Sequence, residues 1–311
     1  MKGIVTKSTG SWFTVKPETG PRVECKLKGR FRIQGLKATN PVAVGDRVLY
    51  EFLETEGIGV IYDILPRNNY IIRRATNLSK VFHIIAANID RAYLIVTLAS
   101  PRTSTGFIDR FLVTTEAYHI PATIVFNKID IYDDQMQKYH DQMAELYTSI
   151  GYECIAISAL RGDNLGKFID GLKNRTNLFA GHSGVGKTAL INAIDPELDL
   201  KTGKISSVHQ KGMHTTTFAE MYELPLGGYI IDTPGIKEMG LIDLDKATIA
   251  ERFPEMRALM HQCHFHNCTH IHEPGCAVKD AVEAGTINAQ RYSNYIGILN
   301  DEGLEIEDWN L

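Results

Sequence analysis

Gly181-His182-Ser183-Gly184-Val185-Gly186-Lys187-Thr188 fits the spacing G-x-x-x-x-G-K-[ST]. Glycines at these positions let successive backbone N–H groups converge on phosphate oxygens, and the helix that follows adds its partial positive charge. Lys187 is expected to reach the β- and γ-phosphates and the Thr188 hydroxyl to ligate Mg²⁺. The flanks supply the context this motif requires, an apolar strand candidate at Leu178–Ala180 and a helical stretch at Ala189–Ile194. Some fifty residues on, Asp232-Thr233-Pro234-Gly235 closes a second apolar run, Tyr229–Ile231. A carboxylate there is placed to hold Mg²⁺ through water, and the Gly235 N–H to meet a γ-phosphate. Between the two lies Lys211-Gly212-Met213-His214-Thr215-Thr216-Thr217. Thr216 is the expected switch ligand of Mg²⁺, with Thr215 as the alternative.

The base is specified elsewhere. Asn127-Lys128-Ile129-Asp130 ends the apolar run Ala122–Phe126 and is the N-K-x-D guanine signature of P-loop GTPases. The Asp130 carboxylate can accept from guanine N1–H and N2–H₂ together. Adenine has no such donor pair and leaves the carboxylate unpaired, a loss of a few kcal/mol. Asn127 braces the loop, and the Lys128 stem covers the base plane. Ser158-Ala159, after Cys154–Ile157, is similar to the companion segment whose backbone N–H meets guanine O6. These base motifs precede the phosphate loop, the reverse of the usual order. Circular permutation is tolerated where chain termini lie close together.

A third constellation is Cys263-x4-Cys268-x-His270-x5-Cys276, three thiols and one imidazole with Gly275 tightening the last turn. Its spacing suits a closed tetrahedral Cys₃His site for one structural Zn²⁺. His264, His266 and His272 compete with His270 for the fourth position.

Positioning these groups requires a mainly parallel sheet with helices on both faces. Strand candidates Ala92–Leu98, Ala122–Phe126, Cys154–Ile157, Leu178–Ala180, Met221–Leu224 and Tyr229–Ile231 alternate with helical stretches Ile108–Tyr118, Met136–Ile150 and Leu165–Asn174. Ahead of them, runs at Trp12–Val15, Val23–Leu27, Val48–Phe52 and Val60–Ile64, separated by turn signals, predict a small OB-fold β-barrel. Pro66-Arg67-Asn68-Asn69 reads as a linker. Residues 1–66, 70–244 and 245–311 form the expected barrel, α/β and helical metal-binding domains. Residues 1–50 carry ten Lys/Arg against three Asp/Glu, whereas the whole chain has net charge −4. A basic front on an acidic body suits a phosphate-rich partner, with a solvated basic surface as the competing reading. Trp12, Phe13 and Phe31 can stack on bases or fill the barrel core. The five acidic residues after Asn300 read as a solvated tail. No apolar run approaches a membrane span and no signal peptide is evident, so a cytoplasmic protein with no membrane partner is expected.

Taken together, the chain resembles the circularly permuted ribosome-biogenesis GTPases of the small-subunit-dependent GTPase A (RsgA/YjeQ/YloQ) type. The resemblance also rests on Ala86-Ala87-Asn88-Ile89-Asp90 and Ile108-Asp109-Arg110, and spans essentially the whole chain. It implies an N-terminal OB-fold, a central permuted P-loop GTPase domain and a C-terminal helical zinc-binding domain, and it selects His270 as the fourth ligand. It further implies GTP hydrolysis stimulated by the small (30S) ribosomal subunit, with GTP/GDP, 30S and 16S rRNA as partners of a monomeric protein. Ile236 occupies the position after D-x-x-G where many GTPases carry a water-orienting glutamine. The resemblance points instead to His214 as the catalytic group; a structural role in its loop is the alternative. An RNA-binding assembly factor that uses GTP only as a conformational ligand, and a GTPase serving a non-ribosomal partner, are the rival functions.

Overall fold

The computed structural model describes residues 1–28, 41–74, 82–200, 219–232 and 246–300. Five strands, β1 (Lys2–Ser8), β2 (Phe13–Pro17), β3 (Val23–Leu27), β4 (Arg47–Leu53) and β5 (Ile58–Ile64), close in the order β1-β2-β3-β5-β4-β1. Their alternation turns Val5, Phe13, Val15, Cys25, Val48, Tyr50 and Ile61 into the barrel core. Four of these strands match the runs expected from sequence. In β1 the lysines at 2 and 7 and the buried Thr6 obscure the period. Phe13 is fully buried, whereas Trp12 is partly exposed with the Lys26 ammonium 4.2 Å from its ring centroid.

The segment after the barrel is not a loose linker. Arg67 donates through Nε and Nη2 to the buried Asp46 carboxylate, both at 2.6 Å, and through Nη2 to the Pro41 carbonyl. Asn69 exchanges two side-chain hydrogen bonds with the backbone of Ile89. A hairpin follows, β6 (Tyr70–Arg74) with β7 (Phe82–Ala87). Gly45, at φ +88°, lies so close to the Ala87 carbonyl that a side chain there would collide with it. Val44 and Ile4 accordingly join the core of the next domain, which fixes the barrel to it.

That domain runs β8 (Arg91–Val96), α1 (Thr105–Ala117), β9 (Ala122–Phe126), α2 (Asp134–Ser149), β10 (Glu153–Ala156), α3 (Leu165–Leu172), β11 (Thr176–Ala180), α4 (Lys187–Ile194), β12 (Glu220–Glu223) and β13 (Tyr229–Asp232). Its sheet has the order β10-β9-β8-β11-β13-β12, parallel except for β12. Successive residues of β8 serve opposite faces: Leu94 and Val96 pack with α1 residues Ile108, Phe111 and Leu112, while Tyr93 and Ile95 pack with Phe168, Leu172, Leu190 and Ile191 of α3 and α4. Burial on both faces explains why these strands read as continuous apolar runs. The outer edge of β12 meets β1 antiparallel at Lys7↔Glu220, so barrel and domain share one eleven-stranded sheet.

The C-terminal lobe contains α5 (Pro254–Arg257), α6 (Ala277–Glu283) and α7 (Ala289–Leu299), with 3₁₀ turns before α6. Phe253, Met256, Val278, Tyr295 and Ile298 form its core together with Val113 of α1. Among the described residues, no helix is long and apolar enough to cross a membrane.

Candidate functional site

The loop from β11 to α4 folds as the glycine spacing demands. Gly181, Gly184 and Gly186 take φ of +148°, +87° and +95°, a region that side chains other than glycine rarely occupy. A Cβ on Gly181 would also strike the Ile95 carbonyl oxygen. Gly181→Ala is therefore expected to weaken nucleotide binding at least about tenfold, some 1.4 kcal/mol, with little change in the circular dichroism spectrum. Isothermal titration with GDP measures it. Val185 is buried and anchors the loop, while Ser183 and Gly184 face solvent. The His182 ring stacks on Phe107, at 3.7 Å between centroids and 31° between planes.

Lys187 opens α4 and folds back over the loop, donating from Nζ to the carbonyls of Gly181 (2.6 Å) and His182 (3.1 Å). Burial lowers its pKa, opposed by the charge of Asp232. Asp232 ends β13 and is itself buried, which raises its carboxyl pKa against the pull of Lys187. Its Oδ1 has no hydrogen-bond partner among the described residues. A buried carboxylate oxygen left over beside a lysine, with the half-buried Thr188 next along α4, fits a Mg²⁺ ion carried in with a phosphate ligand. Gly235, Thr215, Thr216, His214 and Ile236 lie outside the described residues, as do Phe31 and the acidic tail.

Asn127 joins the base and phosphate segments. Buried at the end of β9, it donates from Nδ2 to the Val185 carbonyl (2.8 Å) and accepts at Oδ1 from the Ala159 N–H (3.0 Å). The Ala159 N–H is thus engaged by Asn127 rather than presented to a ligand. Lys128, at φ +66°, sends Nζ to the carbonyls of Gly184 (2.8 Å) and Ser100. The Ser158 hydroxyl donates to Asp130 Oδ1 (2.6 Å) and accepts from the Arg161 N–H, so the carboxylate is oriented before any base arrives. The structure therefore gathers Asn127, Lys128, Asp130, Ser158 and Ala159 around one end of the loop Gly181–Thr188. Sequence reading gave no part to Ser100, whose contribution is a backbone carbonyl that no side-chain pattern signals.

In the C-terminal lobe, Cys263, Cys268, His270 and Cys276 place their ligand atoms within 4.8 Å of one another. His270 Nδ1 lies 3.3 Å from Cys276 Sγ and 3.6 Å from Cys263 Sγ. The backbone of His270 is left-handed (φ +61°), in a turn that Glu273 ties down by accepting from Thr269 N and Oγ1, Ile271 N and His272 N. Burial, with the neighbouring thiols adding to it, pushes the Cys268 thiol up to about 12. An ion among the sulfurs relieves that repulsion by taking them as thiolates. The cluster fits one metal ion with a closed ligand set. It is distant in sequence from the phosphate loop and belongs to the α7 side of the molecule.

Asp109 of α1 is the second feature that sequence reading left without a role. Fully buried, its Oδ1 accepts from Arg291 Nη1 (2.6 Å) and the Tyr147 hydroxyl (2.8 Å), and its Oδ2 from Asn294 (2.6 Å). Arg291 also grips Glu255 through Nε and Nη2. An acidic residue amid the apolar positions Ile108, Phe111 and Leu112 was the available signal.

Comparison with known proteins agrees with this geometry. The sequence matches the family model for the RsgA GTPase over residues 64–242 and that for the RsgA N-terminal domain over residues 2–61. A protein of Bacteroides fragilis (strain YCH46) named small ribosomal subunit biogenesis GTPase RsgA is 53% identical over 302 residues, covering 97% of each chain. The protein of the same name from Christiangramia forsetii is 54% identical over 304 residues, covering 97% of this chain and 96% of its own. The crystal structure of YjeQ from Thermotoga maritima superposes with a TM-score of 0.78 at 36% identity, over 96% of this chain and 97% of that one. YloQ, described as a circularly permuted GTPase, gives a TM-score of 0.73 at 30% identity, over 96% and 94%.

Proposed function

Because the chain belongs to the RsgA GTPase family and is a circularly permuted GTP hydrolase, we propose that it serves small-subunit maturation by binding the 30S particle and its 16S rRNA, which stimulate its hydrolysis of GTP. The names of its relatives support the ribosomal setting. The observation that carries the nucleotide reading is the Asn127 bridge: one side chain bonded to Val185 of the phosphate loop and to Ala159 of the base segment. Two motifs 58 residues apart in sequence are thereby held at the spacing of one ligand.

In this reading Asp130, oriented by Ser158, accepts from the Watson–Crick edge of guanine. Lys187 exchanges the carbonyls of Gly181 and His182 for phosphate oxygens, and the loop N–H groups take up the rest. Thr188, Thr216 and Asp232 hold Mg²⁺, which on binding neutralises charge on the β- and γ-phosphates. His214 orients the attacking water when the subunit is bound, and Gly235 meets the γ-phosphate. The Cys₃His set holds one structural Zn²⁺, since a soft three-sulfur, one-nitrogen donor set with no open position suits that ion. Metal analysis is expected to find one equivalent of zinc per chain, and less than half an equivalent in Cys276→Ser. The protein acts as a cytoplasmic monomer.

The deciding experiment is GTP hydrolysis measured with and without purified 30S subunits, with ATP as competitor. Stimulation by subunits and indifference to ATP support the reading; equal turnover in both conditions removes the ribosomal part. His214→Ala is expected to abolish the stimulated rate with nucleotide affinity unchanged.

A further inference from the structure

Glu220, which no motif singles out, stands in a row of charged groups that crosses three strands. Lys7 of β1 is paired with Glu220 of β12, and Glu220 with Asp232 of β13. Directly opposed residues of antiparallel strands share one face, with Cβ atoms roughly 4.5–5.5 Å apart. The Lys7 ammonium lies 3.1 Å from Glu220 Oε1, and the Tyr222 hydroxyl donates to Oε2 at 3.3 Å. Next in the row, Asp232 is 5% exposed, and its Oδ1 is the oxygen without a partner among the described residues. The barrel thus contributes a cation, the edge strand an anion, and the neighbouring strand the carboxylate that faces Lys187. Like charges directly opposite each other on a sheet repel, and the negative charge of Glu220 adds to burial in raising the Asp232 pKa. The arrangement persists because Lys7 and Tyr222 occupy both Glu220 oxygens.

Resting on the reading of Asp232 as a Mg²⁺ carboxylate, we infer that Glu220 is a positioning residue of the cation site and that Lys7 of the barrel sets how much of its charge reaches that site. A divalent cation next to Asp232 feels both carboxylates. With Lys7 in place the field of Glu220 is largely cancelled. With Lys7 neutralised or drawn off by an anion, Glu220 attracts Mg²⁺ more strongly and repels a metal-free triphosphate. The β12–β1 seam therefore carries an electrostatic signal between barrel and nucleotide site.

The test follows binding of a fluorescent GTP analogue to the full-length protein as Mg²⁺ is titrated, and again in excess chelator. Both side chains of the pair are about half exposed, which screens the effect. Lys7→Gln is expected to lower the Mg²⁺ midpoint about two- to fivefold and to weaken metal-free binding by a similar factor. Glu220→Gln is expected to shift both in the opposite direction, because it leaves the Lys7 charge uncancelled, and the double variant to fall between the two single variants, near wild type, because the two fields add. The exchange Lys7→Glu with Glu220→Lys separates charge from seam stability: it keeps an ion pair across the strands, sets the cation beside Asp232, and is expected to raise the midpoint above wild type. Unchanged midpoints in the single variants, a double-variant midpoint outside the range spanned by the two single variants, or a wild-type midpoint in the exchanged pair overturns the inference. A wild-type protein that binds no analogue at any Mg²⁺ concentration overturns the GTP site itself.

Discussion

Arg291→Ala is expected to cost about 3–5 kcal/mol of folding stability, the range for removing one partner of a buried ion pair. Arg291 is 2% exposed and joins Asp109 of the GTPase domain to Glu255 of the C-terminal lobe, with its guanidinium 4.7 Å from the centre of the Phe253 ring. Burial alone would lower its pKa, but Asp109 and Glu255 together hold it above the ordinary arginine range. Asp109 in turn is pushed up by burial and drawn back by Arg291, Asn294 and Tyr147. Removing the guanidinium strands two carboxylates, one of them fully buried. Arg291→Lys is expected to recover little, because an ammonium cannot present the planar fork that reaches both carboxylates. Urea unfolding followed by circular dichroism measures the loss. A midpoint within error of wild type in Arg291→Ala refutes the account.

Asn127→Ala is expected to weaken GTP and GDP binding by about 100-fold, near 2.7 kcal/mol. The substitution leaves the Val185 carbonyl and the Ala159 N–H without their buried partner, at roughly 1–3 kcal/mol for each group. The penalty falls on the ligand because the two segments must then be brought to spacing by the nucleotide. Gly186 lies so near the Asn127 amide that a Cβ would collide with it, so shortening the side chain also opens a gap beside the phosphate loop. Titration calorimetry with both nucleotides provides the measurement. Equal affinity in variant and wild type refutes the bridge as the organising contact. Asn127→Asp separates size from chemistry: it keeps the acceptor toward Ala159 but sets a carboxylate against the Val185 carbonyl, and is expected to bind as weakly as the alanine variant.

The features that could be read in sequence are those whose determinants are local. The strand Ala122–Phe126 and the barrel strand Val23–Leu27 have the bounds their apolar runs suggested, because turn residues close them on both sides. The loop Gly181–Thr188 folds from its own glycines. His270 is gathered with the three cysteines because a left-handed turn and the Glu273 carboxylate set its direction, which four nearby histidines could not reveal by spacing. What escaped reading is long-range. Asp109 and Arg291 are 182 residues apart, and neither helix by itself names the partner of its charge. Arg67 follows a proline and precedes two asparagines, a composition that signals a linker, yet Asp46 pins it. Glu220 gains its meaning only from the strand on either side. The hairpin β6–β7 was hidden because its partner Val44 belongs to the barrel.

The placement of β11 between β8 and β13 has a consequence for synthesis. On a translating ribosome, β8, β9 and β10 emerge first and can pair among themselves, but the other edge of β8 waits for β11. From Val96 to Thr176 the nascent chain carries an apolar strand with one row of peptide groups unsatisfied. At the usual elongation speed that interval lasts on the order of ten seconds. An open, hydrophobic strand edge is a template for wrong pairing, so this order of synthesis leaves the chain open to mispairing during elongation, before its central strand exists.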